Sequence, residues 1–251
     1  MPPRCVSLVL AVSLDTAFGS RNRTARAHVT LGHACASLNR SSLAQRSPAG
    51  LFVYLTVQAL ALTAAFHAAS VVEHLWRWQH GEDACRRLTL LVHAAAPLVY
   101  GLALYLSLAF YALIWNDAEF RKHVLLPKEA AGLPIHQWMH ETHFGPVAIS
   151  LLDVMGGHTS ELWARHIARP GSLVAAAVAY GTAYTALCHA VAHFTGGAWP
   201  YPFMSRLTAG GRVGFCAVSC TVLSLLTLLW RRIITVRCRV GCMPPQKAKG
   251  E

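Results

Sequence analysis

The densest set of residues able to do chemistry is Leu133-Pro-Ile-His136-Gln-Trp-Met-His140-Glu-Thr-His143-Phe-Gly-Pro146. On a helix, His136 and His140 share a face at four residues' spacing, and His140 and His143 do so at three. The stretch lies where a loop enters an apolar run, a depth at which ionisable side chains are costly and are functional candidates by default. Two chemistries suit it: metal ligation by imidazoles, and proton transfer by a neutral histidine near pH 7. A third reading is structural, an interfacial histidine cluster that anchors the helix end. The run is not a zincin motif, because His140-Glu-Thr-His143 is one residue short of H-E-x-x-H. Asp153 lies ten residues past His143, about 15 Å by helical rise, too far to orient it.

Two further segments carry reactive or hydrogen-bonding groups. In Val53-Tyr54-Leu55-Thr56-Val57-Gln58, Thr56 opens a long apolar run. Alone, a threonine in a membrane helix bonds back to a carbonyl one turn earlier; with a base beside it, its hydroxyl is a nucleophile. The segment Thr195-Gly-Gly-Ala-Trp199-Pro-Tyr201-Pro-Phe203 reads as a turn with interfacial aromatic anchors. Acyl transfer also needs donors for a tetrahedral oxyanion in a dry site, and Trp199, Tyr201 and His140 all qualify.

The elements that must position these groups follow from composition. Hydrophobic residues make up 54% of the 251 and charged residues 13%, about half the roughly 25% usual in soluble domains. Mean hydropathy is +0.39. Too few charges remain to cover a water-soluble surface, and disorder is excluded for most of the chain. The formal charge of +11 does not indicate nucleic acid, because the basic residues sit in short clusters between apolar runs, beside lipid headgroups. The eight cysteines form no C-x-x-C pair, which argues against a disulfide framework or zinc ribbon. Cys216 and Cys220 read as packing residues, and Cys238 and Cys242 as free or acylated thiols.

The expected fold is all-α, a polytopic integral membrane protein with five firm transmembrane helices and one marginal N-terminal span. The five runs are Leu51–Leu75, Leu88–Trp115, Phe144–Met155 with its polar entry at 136–143, Ser172–Phe194 and Val213–Val236, judged against the roughly 20 residues a span needs. The short apolar run Cys5–Leu14 is signal-like or a curtailed span. The organisation expected is a divergent segment over 1–50, a helical domain over 51–236 and a basic tail over 237–251. Lys and Arg divide almost evenly between the two sides, so charge gives no orientation. Alternation nevertheless puts the segments around Thr56, His143 and Trp199 at one membrane face, whichever face it is.

Several of these pieces together resemble a known family. Tyr54-Leu55-Thr56 opens a long helix and Pro97 falls early in the next, followed by Leu126-Pro127-Lys128. The His140-x-x-His143 pair precedes Asp153, and Gly197-Ala-Trp199-Pro-Tyr201-Pro202 precedes Gly211-Arg212. In this order, across residues 51–236, they are similar to the androgen-induced and androgen-dependent TFPI-regulating proteins. Those are multi-pass membrane hydrolases of fatty acid esters of hydroxy fatty acids. The resemblance implies that Thr56 is the nucleophile and His143, the second histidine of its pair, the catalytic partner. It implies neither cofactor nor metal. Met139 stands where the family usually has Asn, and His136 and Glu141 are additions to its pattern.

The expected activity is therefore carboxylic ester hydrolysis, on a lipid that enters from the bilayer, in the endoplasmic reticulum or plasma membrane. Protein partners are not specified and nucleic acid is not expected. The competing classes are a histidine-box hydroxylase or desaturase and a non-enzymatic membrane regulator. The first would draw on His136, His140, His143, His158, His189 and His193, although no H-x-x-H-H triplet exists.

Overall fold

A computed structural model describes residues 54–81, 85–132, 134–157 and 166–241. The expectations for residues 1–50, His158 and Cys242 lie outside them. Among the described residues the fold is all-helical. Five long helices carry it: α1 Leu55–His80, α2 Arg86–Ala109, α3 Ile135–Gly157, α4 Pro170–Phe194 and α5 Ala209–Gly241. A π-helical turn, Phe110–Ile114, extends α2, and short helical turns Ala118–Phe120 and Leu126–Ala130 lead to α3.

Local sequence sets the ends. Gly81 stops α1 at φ 91°, a conformation open to glycine at no steric cost, and its N–H returns to the Arg77 carbonyl. Pro170 occupies the first helical position of α4, where its missing N–H costs nothing. The last helix runs further than hydropathy alone indicates, to Gly241, so Cys238 is a buried helical residue packed in the core rather than a tail thiol.

Among the described residues, four helical segments are long and apolar enough to cross a membrane: Leu55–His80, Arg86–Ile114, Pro170–Phe194 and Ala209–Cys238. The helix α3 is not among them. Its 23 residues have the length, but its first turns carry His136, Gln137, His140, Glu141, Thr142 and His143, which dilute the apolar run that follows.

The outside of this bundle is apolar and part of its inside is polar, the reverse of a soluble protein. Leu91, Met155, Val213, Val218 and Leu225 are exposed, while Ser107, Ser150, Ser224, Thr227 and Asp153 are buried. Ser150, Ser224 and Thr227 are satisfied within their own helices, Ser224 on the Cys220 carbonyl at 2.7 Å and Thr227 on the Leu223 carbonyl at 2.8 Å. Asp153 accepts from the Tyr100 hydroxyl. Glu73, fully buried, accepts from Arg77 and from Thr89 Oγ1. These arrangements suit lipid, where every buried polar group needs an internal partner.

The central helix is α2, packed against α1, α3 and α5, with α4 against α5. Its core includes Tyr100, Phe66, Trp230 and Ile234. Contact with α5 is close at Gly101, where a Cβ would lie 2.6 Å from Thr227 Oγ1 and 2.9 Å from Thr227 backbone atoms. Small residues at such crossings let helices approach without a hydrophobic drive between them. Gly101→Val therefore forces α2 and α5 apart, and overpacking of this kind costs about 1–3 kcal/mol. The expected result is a lower Tm for the detergent-solubilised protein, by several degrees in a thermal-unfolding scan.

Candidate active site

The site forms at one end of the bundle. Thr56 stands in the first turn of α1, and His143 is buried in the third turn of α3. Thr56 Oγ1 lies 3.2 Å from His143 Nε2, although 87 residues separate them in the chain. His143 Nδ1 is 2.7 Å from the Met139 carbonyl oxygen. A carbonyl only accepts, so Nδ1 carries the proton, Nε2 is the bare nitrogen, and the threonine hydroxyl donates to it. That is the hydrogen bond a general base makes to a nucleophile.

Ser107 anchors the backbone of His143, and Phe110 and Thr142 contact its imidazole. Phe110 stacks on it with ring centroids 3.5 Å apart and planes 12° apart. Phe110 opens the π-helical turn at the end of α2, a local widening that recurs at functional sites. Ser107, one turn earlier, donates to the His143 carbonyl. The Thr142 hydroxyl lies 3.1 Å from Nδ1.

On the other side of Thr56, the Leu55 N–H donates to two phenol oxygens, Tyr184 and Tyr201, both at 3.1 Å. Tyr184 donates onward to Tyr201 at 3.5 Å. The Tyr201 oxygen thus accepts twice, and its own O–H hydrogen has no acceptor among the described residues. Tyr201 sits in the turn before the short helix Pro202–Arg206, where burial pushes its hydroxyl up to about 12. It remains a neutral donor through the physiological range.

Thr56, His143, Tyr184 and Tyr201 line a cavity. Most of the remaining wall is apolar, from Leu106, Phe110, Leu113, Phe203, Phe215 and Leu223. This lining suits an apolar ligand oriented by a few polar groups.

The other histidines go elsewhere. His136 is exposed and pairs with Glu129. His140 Nδ1 meets the Tyr111 hydroxyl at 2.6 Å, against Trp115. His189 donates to the Thr185 carbonyl and packs edge-on to Trp199. Among the described residues no three His, Cys, Asp or Glu side chains come together as a metal-binding set. Of the three suggested oxyanion donors, only Tyr201 lines the cavity. Sequence reading missed Phe110, Ser107 and Tyr184. The spacing of Ser107 and Phe110 on one face of α2 was the available signal.

An all-helical bundle with an apolar exterior, and four segments able to cross a membrane, defines a multi-pass membrane protein with a hydroxyl–imidazole pair in an internal cavity. The FAR-17a/AIG1-like protein family matches residues 27–234, and the chain belongs to that family. No curated protein and no solved structure matches it.

Proposed function

We propose that this chain is a membrane-embedded lipid ester hydrolase in which Thr56 is the nucleophile and His143 the base. One observation carries the reading: Thr56 Oγ1 lies 3.2 Å from the bare nitrogen of a histidine held by a backbone carbonyl. In the proposed step, Oγ1 bonds to the ester carbonyl carbon as His143 Nε2 takes the hydroxyl proton. Collapse of the tetrahedral intermediate breaks the C–O bond to the alcohol, which leaves with the proton from Nε2. Water, deprotonated by His143, then hydrolyses the acyl-threonine and restores both groups. The Tyr201 O–H is the donor we assign to the oxyanion.

The apolar walls favour an ester with long acyl chains, and the family resemblance narrows it to fatty acid esters of hydroxy fatty acids. In this reading α3 is the fifth crossing: 23 residues give about 34 Å at the helical rise, near the bilayer's ~30 Å core. The active-site end then faces one leaflet, and substrate arrives laterally from lipid in the endoplasmic reticulum or plasma membrane.

The test is covalent labelling of the full-length protein by a fluorophosphonate. Labelling is expected in the wild type and lost in Thr56→Ala. His136→Ala and chelator treatment leave both labelling and turnover largely intact. If Thr56→Ala still labels and cleaves while chelation stops hydrolysis, the threonine mechanism is wrong and a metalloenzyme takes its place.

A further inference from the structure

Among the described residues lining the cavity, Arg212 alone carries a fixed charge, and none is a carboxylate. It stands in the first turn of α5. Its guanidinium lies 4.3 Å over the Trp199 ring, and its Nε donates to the Met204 carbonyl at 3.1 Å. These contacts hold the planar group in place and use one of its five N–H donors. Among the described residues, the four Nη hydrogens have no acceptor. Arg206 provides the contrast, since it is neutralised by Asp117 at 3.5 Å. A cation fixed at the wall of an apolar cavity, with its outer donors unspent, is prepared for an anion brought by the ligand.

Its depth is also defined. Thr185 Oγ1 donates to Cys216 Sγ at 3.1 Å, and the neighbouring Tyr184 hydroxyl receives the Leu55 N–H. Arg212 is one helical turn, about 6 Å of rise, nearer the start of α5 than Cys216. The charge therefore lies closer to the end of the bundle than the level of the reacting hydroxyl, with Phe215 and Leu223 of the apolar wall below it.

We propose that Arg212 is a specificity-determining residue that binds a free carboxylate on the lipid substrate and so sets which ester bond reaches Thr56. A carboxylate is favoured over a phosphate headgroup because the cavity offers a single planar two-pronged donor and no second cation for a dianion. This inference rests on the hydrolase reading for its turnover test, but not for its binding test.

The experiment uses the full chain in detergent micelles and two substrates that differ at one end. One acyloxy lipid ends in a free carboxylate and the other in the primary amide. Charge-assisted hydrogen bonds of this kind are worth roughly 10- to 100-fold, so wild-type kcat/KM should favour the acid by that factor, mainly through KM. Arg212→Gln should bring the ratio close to one, and Arg212→Lys should restore part of it. In parallel, tryptophan fluorescence of the wild type reads binding of a long-chain fatty acid, its fatty alcohol and a lysophosphatidic acid, without turnover or mutation. Tighter binding of the fatty acid than of both others supports the proposal. Equal binding of acid and alcohol overturns it, as does tighter binding of the phosphate or an acid/amide ratio unchanged in Arg212→Gln. Selective fatty-acid binding with neither ester cleaved would sink the hydrolase reading and leave the carboxylate site standing.

Discussion

Thr56→Ala and His143→Ala are each expected to abolish ester turnover, and the double variant to be little worse than either single one. The proposed mechanism makes the two residues one unit: without the base the hydroxyl keeps its proton, and without the hydroxyl the base has nothing to activate. Knockouts within such a unit are grossly non-additive. General-base assistance alone is typically worth about 10² to 10⁴ in rate, and loss of the nucleophile removes the covalent route altogether. Thr56→Ser keeps the hydroxyl at 3.2 Å from Nε2 and should retain measurable activity, reduced because the freed χ1 samples rotamers turned away from His143. His143→Gln tests the same point from the other side, keeping polarity without a base. Steady-state kinetics of the five variants on one ester substrate, with thermal unfolding as the check on folding, decides the matter. Additive losses in the double variant would mean the two residues do not act together.

Tyr201→Phe should lower kcat about 10²- to 10³-fold with little change in KM, the loss seen when one oxyanion donor is removed. The expectation comes from the hydrogen-bond accounting around Leu55. Its N–H is shared between Tyr184 and Tyr201, so removing the Tyr201 oxygen leaves that N–H with Tyr184, and the start of α1 keeps a partner. The Tyr201 hydrogen is the group lost, and ground-state binding to the apolar walls does not use it. The sign of its pH behaviour follows from burial. A hydroxyl pushed up to about 12 is protonated well below that value, so the donor is present throughout the neutral and mildly alkaline range and is lost only as pH rises through about 12. The wild-type kcat should accordingly show no alkaline limb from Tyr201 below pH 11. A Tyr201→Phe variant with a raised KM and unchanged kcat would make Tyr201 a binding residue instead.

Much of this protein can be read without coordinates because the determining physics is local. Transfer of apolar side chains into lipid adds up along a run, so hydropathy finds α1, α2, α4 and α5 to within a few residues at most ends. Helix α3 is harder for the same reason. A window that includes His136, His140, Glu141 and His143 loses the apolar character that a span requires, although the structure forms a 23-residue helix there. The up-and-down order of the five long helices brings Thr56, His143 and Tyr201 to one end of the bundle, which needs only a count of helices. The motifs themselves are enough to recognise the family.

What the sequence could not decide is which polar atoms meet. His136, His140 and His143 are equivalent in type and similarly spaced, yet only His143 is buried against Phe110 and bonded to Thr56, while His136 takes Glu129 and His140 takes Tyr111. Trp199 and Tyr201 are two residues apart, but Trp199 packs under Arg212 and only Tyr201 turns into the cavity. A hydrogen bond falls away within a few tenths of an ångström and a few tens of degrees. Across 87 residues of chain, that placement is set by how α1, α2 and α3 pack, by the π-helical turn at Phe110 and by the close approach at Gly101. Burial energy is a sum over a run and is legible in one dimension. The pairing of a hydroxyl with one nitrogen of one histidine is a coincidence in three dimensions, and only the tertiary structure decides it.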